Sequence, residues 1–79
     1  MQIILFGIAK DIIGAQSLTL PGGHGVQTVH DLKNWLLDQY PAMGNLNSMA
    51  IAVDQEYAQD EMNLSENQEI ALIPPISGG

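Results

Sequence analysis

The sequence contains no cysteine. That absence removes disulfide staples and thiolate metal sites, and it fits a reducing compartment. Positive charge is almost as scarce: Lys10 and Lys33 stand against nine acidic residues, for a formal charge of −7. Nucleic-acid binding requires the opposite balance, because its affinity comes from basic groups that displace counterions from phosphates. An acidic surface either maintains solubility or steers the domain toward a basic partner, and charge alone does not separate the two. No apolar run approaches the ~20 residues that cross a bilayer. No basic stretch precedes the apolar run at the N-terminus, so a secretory signal is not expected there. The expectation is a cytoplasmic protein with neither membrane nor nucleic-acid partners.

Catalytic constellations are missing too. His24 and His30 fall short of the three or four ligands that zinc uses, so no metal site is expected, and His30 reads as a surface residue. "PGGHG" (21–25) lacks the Lys–Ser/Thr ending of a phosphate-cradling loop and reads as a flexible turn. Ser77 has no matching His–Asp pair, and the carboxylates are scattered, with no general-acid pair. Trp35 and Tyr40 read as packing residues and not as stacking platforms, because positive charge is lacking. An active site formed by this chain alone is not expected.

What is present is a compact hydrophobic pattern. Of 79 residues, 46% are hydrophobic, enough for one folded domain. "QIILFGI" (2–8) reads as a β-strand, apolar on both faces, and "AKDIIGA" as a turn-like connection ending at Gly14. "QSLTL" (16–20) alternates as a half-buried strand. "TVHDLKNWLLDQY" (28–40) predicts a helix. Thr28 is its N-cap, Asp31 suits the positive end of its dipole, Val29, Leu32, Leu36 and Tyr40 recur at helical spacing, and Pro41 stops it. After a loop (42–48), "MAIAVD" predicts a strand that turns at Asp54–Gln55 and pairs with Glu56–Ala58. "EIALIP" (69–74), after the polar turn "SENQ", is the last strand.

The predicted order is β-β-α-β-β-β, an α+β domain with a small mixed sheet crossed by one helix. Ile3, Leu5, Leu18, Leu20, Ile51, Val53, Ile70 and Leu72 are expected to face that helix. Period-two alternation sends Ile4, Phe6 and Ile73 to the other face, where no second helix is available. An uncovered apolar patch on a small acidic domain marks an interaction surface. The alternative is that loop 42–48 or segment 59–65 folds over it. The domain is expected to span residues 1–75, with a flexible tail at 76–79.

The ending "ALIPPISGG" is the most specific stretch. Pro74 and Pro75 favour an extended course, so the chain leaves the last strand as a stiff stalk. The four residues Ile76, Ser77, Gly78 and Gly79 reach ~13 Å if extended. Two glycines can enter a channel too narrow for any side chain. The group delivered at its end is the Gly79 α-carboxylate, which becomes an acyl donor once activated, for instance by adenylation.

On "IILFGIAKDIIG", "TVHDL", "AVDQEY" and "EIALIPPISGG", the whole chain resembles the molybdopterin synthase small subunits, a family of ubiquitin-like β-grasp sulfur carriers. Lys10–Asp11 stands where that family more often has Arg–Glu, and "SENQE" replaces its commoner Asp-Gly turn. The resemblance implies a non-catalytic carrier subunit that binds no permanent cofactor. An activating enzyme would use ATP to adenylate Gly79, and a sulfur donor would convert the acyl-adenylate to a C-terminal thiocarboxylate. The tail, Pro74 to Gly78, would then insert into a large catalytic subunit. There the sulfur passes to a cyclic pyranopterin monophosphate to build the dithiolene of the molybdenum cofactor. Ile4, Phe6 and Ile73 would form the interface to both partners. The thiamine-pathway sulfur carrier and a ubiquitin-like modifier conjugated through Gly79 share this terminus and remain alternatives. So does an interaction domain with a functionless tail.

Overall fold

Gln2 and Ile4 alternate with Ile3 and Leu5, and the first strand, β1 (Gln2–Leu5), accordingly has one buried and one open face. The computed structural model describes residues 1–43 and 49–73 of the chain. β1 is shorter than its apolar run suggests. Gly7 adopts φ 57, a left-handed conformation that carries no Cβ penalty only for glycine, and it redirects the chain after Phe6. Residues expected to continue the strand and then turn instead form a helix, α1 (Gly7–Ile13). Gly14, at φ 80, closes it by donating its N–H to the Lys10 carbonyl at 2.8 Å. Ala9 is fully buried, and Ile12 and Ile13 pack beside it against the core.

The rest of the chain follows the predicted order. β2 (Ser17–Thr19) precedes α2 (Val29–Gln39), and a 3₁₀ turn (Pro41–Met43) comes after it. β3 (Ala50–Val53), β4 (Glu56–Tyr57) and β5 (Ile70–Ile73) complete the order. The single-helix order is thus corrected to β-α-β-α-β-β-β. The sheet runs β2-β1-β5-β3-β4, with β1 and β5 parallel at its centre and every other pair antiparallel.

One layer of side chains joins sheet and helices. Ile3, Ile51, Ile70 and Leu72 from the sheet share a core with Val29, Leu32 and Leu36 from α2, each 1% exposed or less. Leu5, Leu20 and Val53 are buried with them, and Leu18 is half-buried at the edge. Burying one such side chain contributes about 1.5–3 kcal/mol, so this layer dominates the stability. The fold is an α+β β-grasp: a mixed five-stranded sheet with α2 held across one face.

Polar groups fix how α2 enters. Thr28 Oγ1 accepts the Asp31 N–H at 3.1 Å, and Asp31 Oδ2 accepts the N–H groups of Gln27 and Thr28 at 3.1 and 3.2 Å. This reciprocal capping satisfies donors that no earlier turn can reach. The next two donors are taken by segment 58–64: Val29 N–H by the Met62 carbonyl and His30 N–H by the Asp60 carbonyl, both at 3.0 Å. That segment is therefore committed to the helix side and does not fold over Ile4 and Phe6. Loop 21–25 is held down rather than loose. His24 Nδ1 accepts the Val26 N–H at 2.9 Å while its Nε2 meets Glu66 Oε2 at 3.1 Å. Glu66 also takes the Met1 ammonium at 2.6 Å, and these partners hold its carboxyl below the usual range.

The cap predicts a pH dependence. The Gln27 amide, with smaller help from Thr28, lowers the Asp31 pKa below 3.8 in the folded state. A depressed folded pKa means that the carboxylate's contribution is complete above the unfolded value and fades as pH falls through the folded one. Asp31→Asn should therefore unfold at lower urea than the parent at neutral pH, and the gap should close well below pH 3.8. A gap of unchanged size in acid would mean that charge at this cap contributes nothing.

Candidate functional site

Strand register lines up Ser17, Ile4, Ala71, Ala52 and Tyr57 in one row across β2-β1-β5-β3-β4. The row lies on the sheet face away from α2, because each member alternates with a core residue. Its two central members are alanines, paired directly across β3 and β5, and they leave a low floor. Ile4, Phe6, Ile73 and Tyr57 rise around that floor and enclose a concavity of about 290 Å³. Phe6 follows β1 in an extended conformation (φ −130, ψ 154), so strand parity carries one residue past the strand's end. It is 50% exposed and Tyr57 75%, a large apolar area left in water by so small a domain.

The concavity is asymmetric. Gln55 and Glu69 give it one polar corner. β5 runs parallel to β1 and antiparallel to β3, which puts Ile73 at the end where Leu5 leads into Phe6. The Asp54–Gln55 turn and Glu69 lie at the opposite end. Beyond Phe6 a second open hollow, about 540 Å³, continues along Gly7, Lys10, Gln16 and Ser17. Lys10 is exposed there, whereas Lys33 is engaged by Asp60 at 2.8 Å, an ion pair that lowers the Asp60 pKa. Among the described residues, Lys10 is therefore the one lysine that lines either hollow.

Of the residues singled out from sequence, Ile4, Phe6 and Ile73 are brought together at this concavity. Pro74, Pro75, Ile76, Ser77, Gly78 and Gly79 lie outside the described residues, as does 44–48 of the loop offered as a cover. Sequence reasoning missed Ala52, Ala71, Tyr57, Gln55 and Glu69. For the two alanines the signal was available, since the alternation that puts Ile4 and Ile73 on this face puts them there as well. Among the described residues no group of three or more His, Asp or Glu could hold a metal ion, and no helix is long and apolar enough to cross a membrane.

The chain is similar in sequence and in fold to known proteins. A Caenorhabditis briggsae protein described as a molybdopterin synthase sulfur carrier subunit is 36% identical over 83 residues, covering 100% of this chain and 96% of that one. The solution structure of small archaeal modifier protein 1 from Methanosarcina acetivorans superposes with a TM-score of 0.75 at 26% identity, covering 99% of this chain and 94% of that one. In a Helicobacter pylori complex of subunits 1 and 2 of molybdopterin-converting factor, one chain superposes with a TM-score of 0.66 at 20% identity, covering 99% of this chain and 96% of that one. Residues 3–79 match the ThiS family. Since that match takes in both helices and residues of all five strands, the chain belongs to the ThiS family.

Proposed function

We propose that this chain is the sulfur carrier subunit of a molybdopterin synthase, and that the sulfur is carried on the carboxyl group of Gly79. The observation that carries the reading is the full-length likeness to a molybdopterin synthase sulfur carrier subunit. It is supported by an exposed apolar concavity at the end of the sheet from which the chain leaves β5. In this reading an activating enzyme joins the Gly79 carboxylate to the α-phosphate of ATP, with pyrophosphate leaving. Hydrosulfide released by a sulfur donor then attacks the acyl carbon, the acyl–phosphate bond breaks with AMP leaving, and a thiocarboxylate remains. The tail next enters the large catalytic subunit, where the sulfur passes to a cyclic pyranopterin monophosphate. The chain itself supplies the acyl carbon and the docking face, and its partners supply the groups that act on them. Sulfur is thereby carried without a cysteine.

Incubation with ATP, the activating enzyme and a sulfur source should exchange one oxygen for sulfur in the intact mass. An unchanged mass, with an activating enzyme proven active on another carrier, would refute the proposal. The docking half of the reading has its own test. Phe6→Asp should weaken binding to the large subunit roughly tenfold or more, as loss of an interface aromatic does. Because Phe6 is half-exposed, the variant should melt with the parent. Unaltered affinity would show that this face is not the docking surface, and outright unfolding would show that the strand parity placing Phe6 on it is wrong.

The likeness to an archaeal modifier protein favours one second reading, attachment of Gly79 to lysines of other proteins. It predicts high-mass covalent adducts in cells, which disappear when Gly79 is deleted.

A further inference from the structure

The hairpin between β3 and β4 turns on Asp54 and Gln55, at φ 51 and 72. A two-residue turn of this hand matches the twist of the strands and favours Asn or Asp followed by Gly. Asp54 suits its place. Its N–H donates to the Glu69 carbonyl at 2.8 Å and its Oδ1 accepts the Glu69 N–H at 3.0 Å, which ties the turn to the start of β5. Gln55 does not suit its place. It occupies a left-handed position that disfavours residues carrying a Cβ, and no hydrogen bond among the described residues engages its side-chain amide. That exposed side chain instead lines the concavity beside Tyr57 and Glu69. A non-glycine residue held in this conformation with no local compensation points to selection for something other than the turn.

We propose that Gln55 determines specificity at the docking surface. Its carboxamide hydrogen-bonds a polar group of the large subunit at the end of the concavity opposite the tail exit. The inference rests on the carrier reading above. Apart from Glu69 beside it, the remainder of the concavity is apolar, and apolar contact has no direction, so Ile4, Phe6, Ile73 and Tyr57 alone leave the partner free to rotate on the face. A hydrogen bond at one end removes that freedom. Glu69 and Ile73 are four residues apart, ~13 Å of strand at ~3.3 Å per residue. Over such an arm a small rotation at the polar corner becomes a displacement where the tail departs, and group transfer tolerates little displacement. The turn's strain thus secures the aim of the tail.

Two variants of the full chain, Gln55→Gly and Gln55→Ala, test this through readouts that move in opposite directions. Gln55→Gly relieves the left-handed strain and should raise the melting midpoint by roughly 4 °C, after allowance for the extra freedom of glycine in the unfolded chain. The same variant should bind the purified large subunit roughly tenfold more weakly by calorimetry, for loss of one interfacial hydrogen bond and its unpaired partner. Gln55→Ala keeps a Cβ in the turn and loses the amide, so it should match Gln55→Gly in affinity and the parent in stability. Parental affinity in either variant overturns the proposal, and so does a Gln55→Gly chain that is less stable as well as weaker in binding. A parent chain that fails to bind the large subunit overturns the carrier reading itself, and this inference with it.

Discussion

Adding one alanine after Gly79 should leave the domain folded and its docking face intact, yet stop it from acquiring sulfur. The extension moves the reactive carboxylate by one residue, ~3.5 Å. Transfer requires reacting atoms held within ~3–3.5 Å of each other, and misplacement by 1 Å can cost about a hundredfold. The activating enzyme would then meet an alanine carboxylate where it is built to receive glycine, with a methyl group in a channel shaped for none. Deleting Gly79 should have the same outcome, because Gly78 then falls short of the nucleotide. Sulfur-for-oxygen exchange in the intact mass reads the loading step, and recovery of dithiolene synthesis reads the delivery step. Loading of the extended chain at the parental rate, without trimming back to Gly79, would show that the terminus is not the carrier.

The second large effect is on stability. Leu36 is fully shielded and shares the core with Ile3, Leu32, Ile51, Ile70 and Leu72. Leu36→Ala should cost about 2–5 kcal/mol, the range for truncating a buried leucine where neighbours cannot close the gap. For a domain this small that is a large share of a total near ~5 kcal/mol, and the melting midpoint should fall by roughly 10 °C or more. Leu37, next in sequence, is 42% exposed, and Leu37→Ala should change stability by under ~0.5 kcal/mol. Equal effects at the two positions would mean that α2 is rotated about its axis relative to the sheet.

The legible parts of the fold are those set by local chemistry. Thr28 and Pro41 mark α2 because a hydroxyl cap and a missing N–H act on the residues beside them. Alternation places Ile3, Leu5, Ile70 and Leu72 inside because a strand leaves no other parity. α1 was not legible for the opposite reason. A helix of seven residues containing three isoleucines and opening on glycine has no stability of its own. It forms because Ala9, Ile12 and Ile13 find the end of the core, which is tertiary information. The same division runs through the site. Ile4, Phe6 and Ile73 could be grouped by parity, but the depth of the concavity comes from Ala52 standing opposite Ala71. That pairing depends on strand register, and nothing in composition supplies it.

The central pairing of β1 with β5 also bears on when this chain becomes able to act. The two strands lie more than sixty residues apart along the chain, yet Ile3, Ile4 and Leu5 pair directly with Ile70, Ala71 and Leu72. Contacts this distant in sequence delay folding, since a long loop must close before any of them forms. A nascent chain that stops short of Ile70 lacks one central strand, half of the alanine floor and the Ile73 wall. In the carrier reading proposed above, such a fragment would lack the face that meets the large subunit. Under that reading, docking would select chains that have been read through to Ile73.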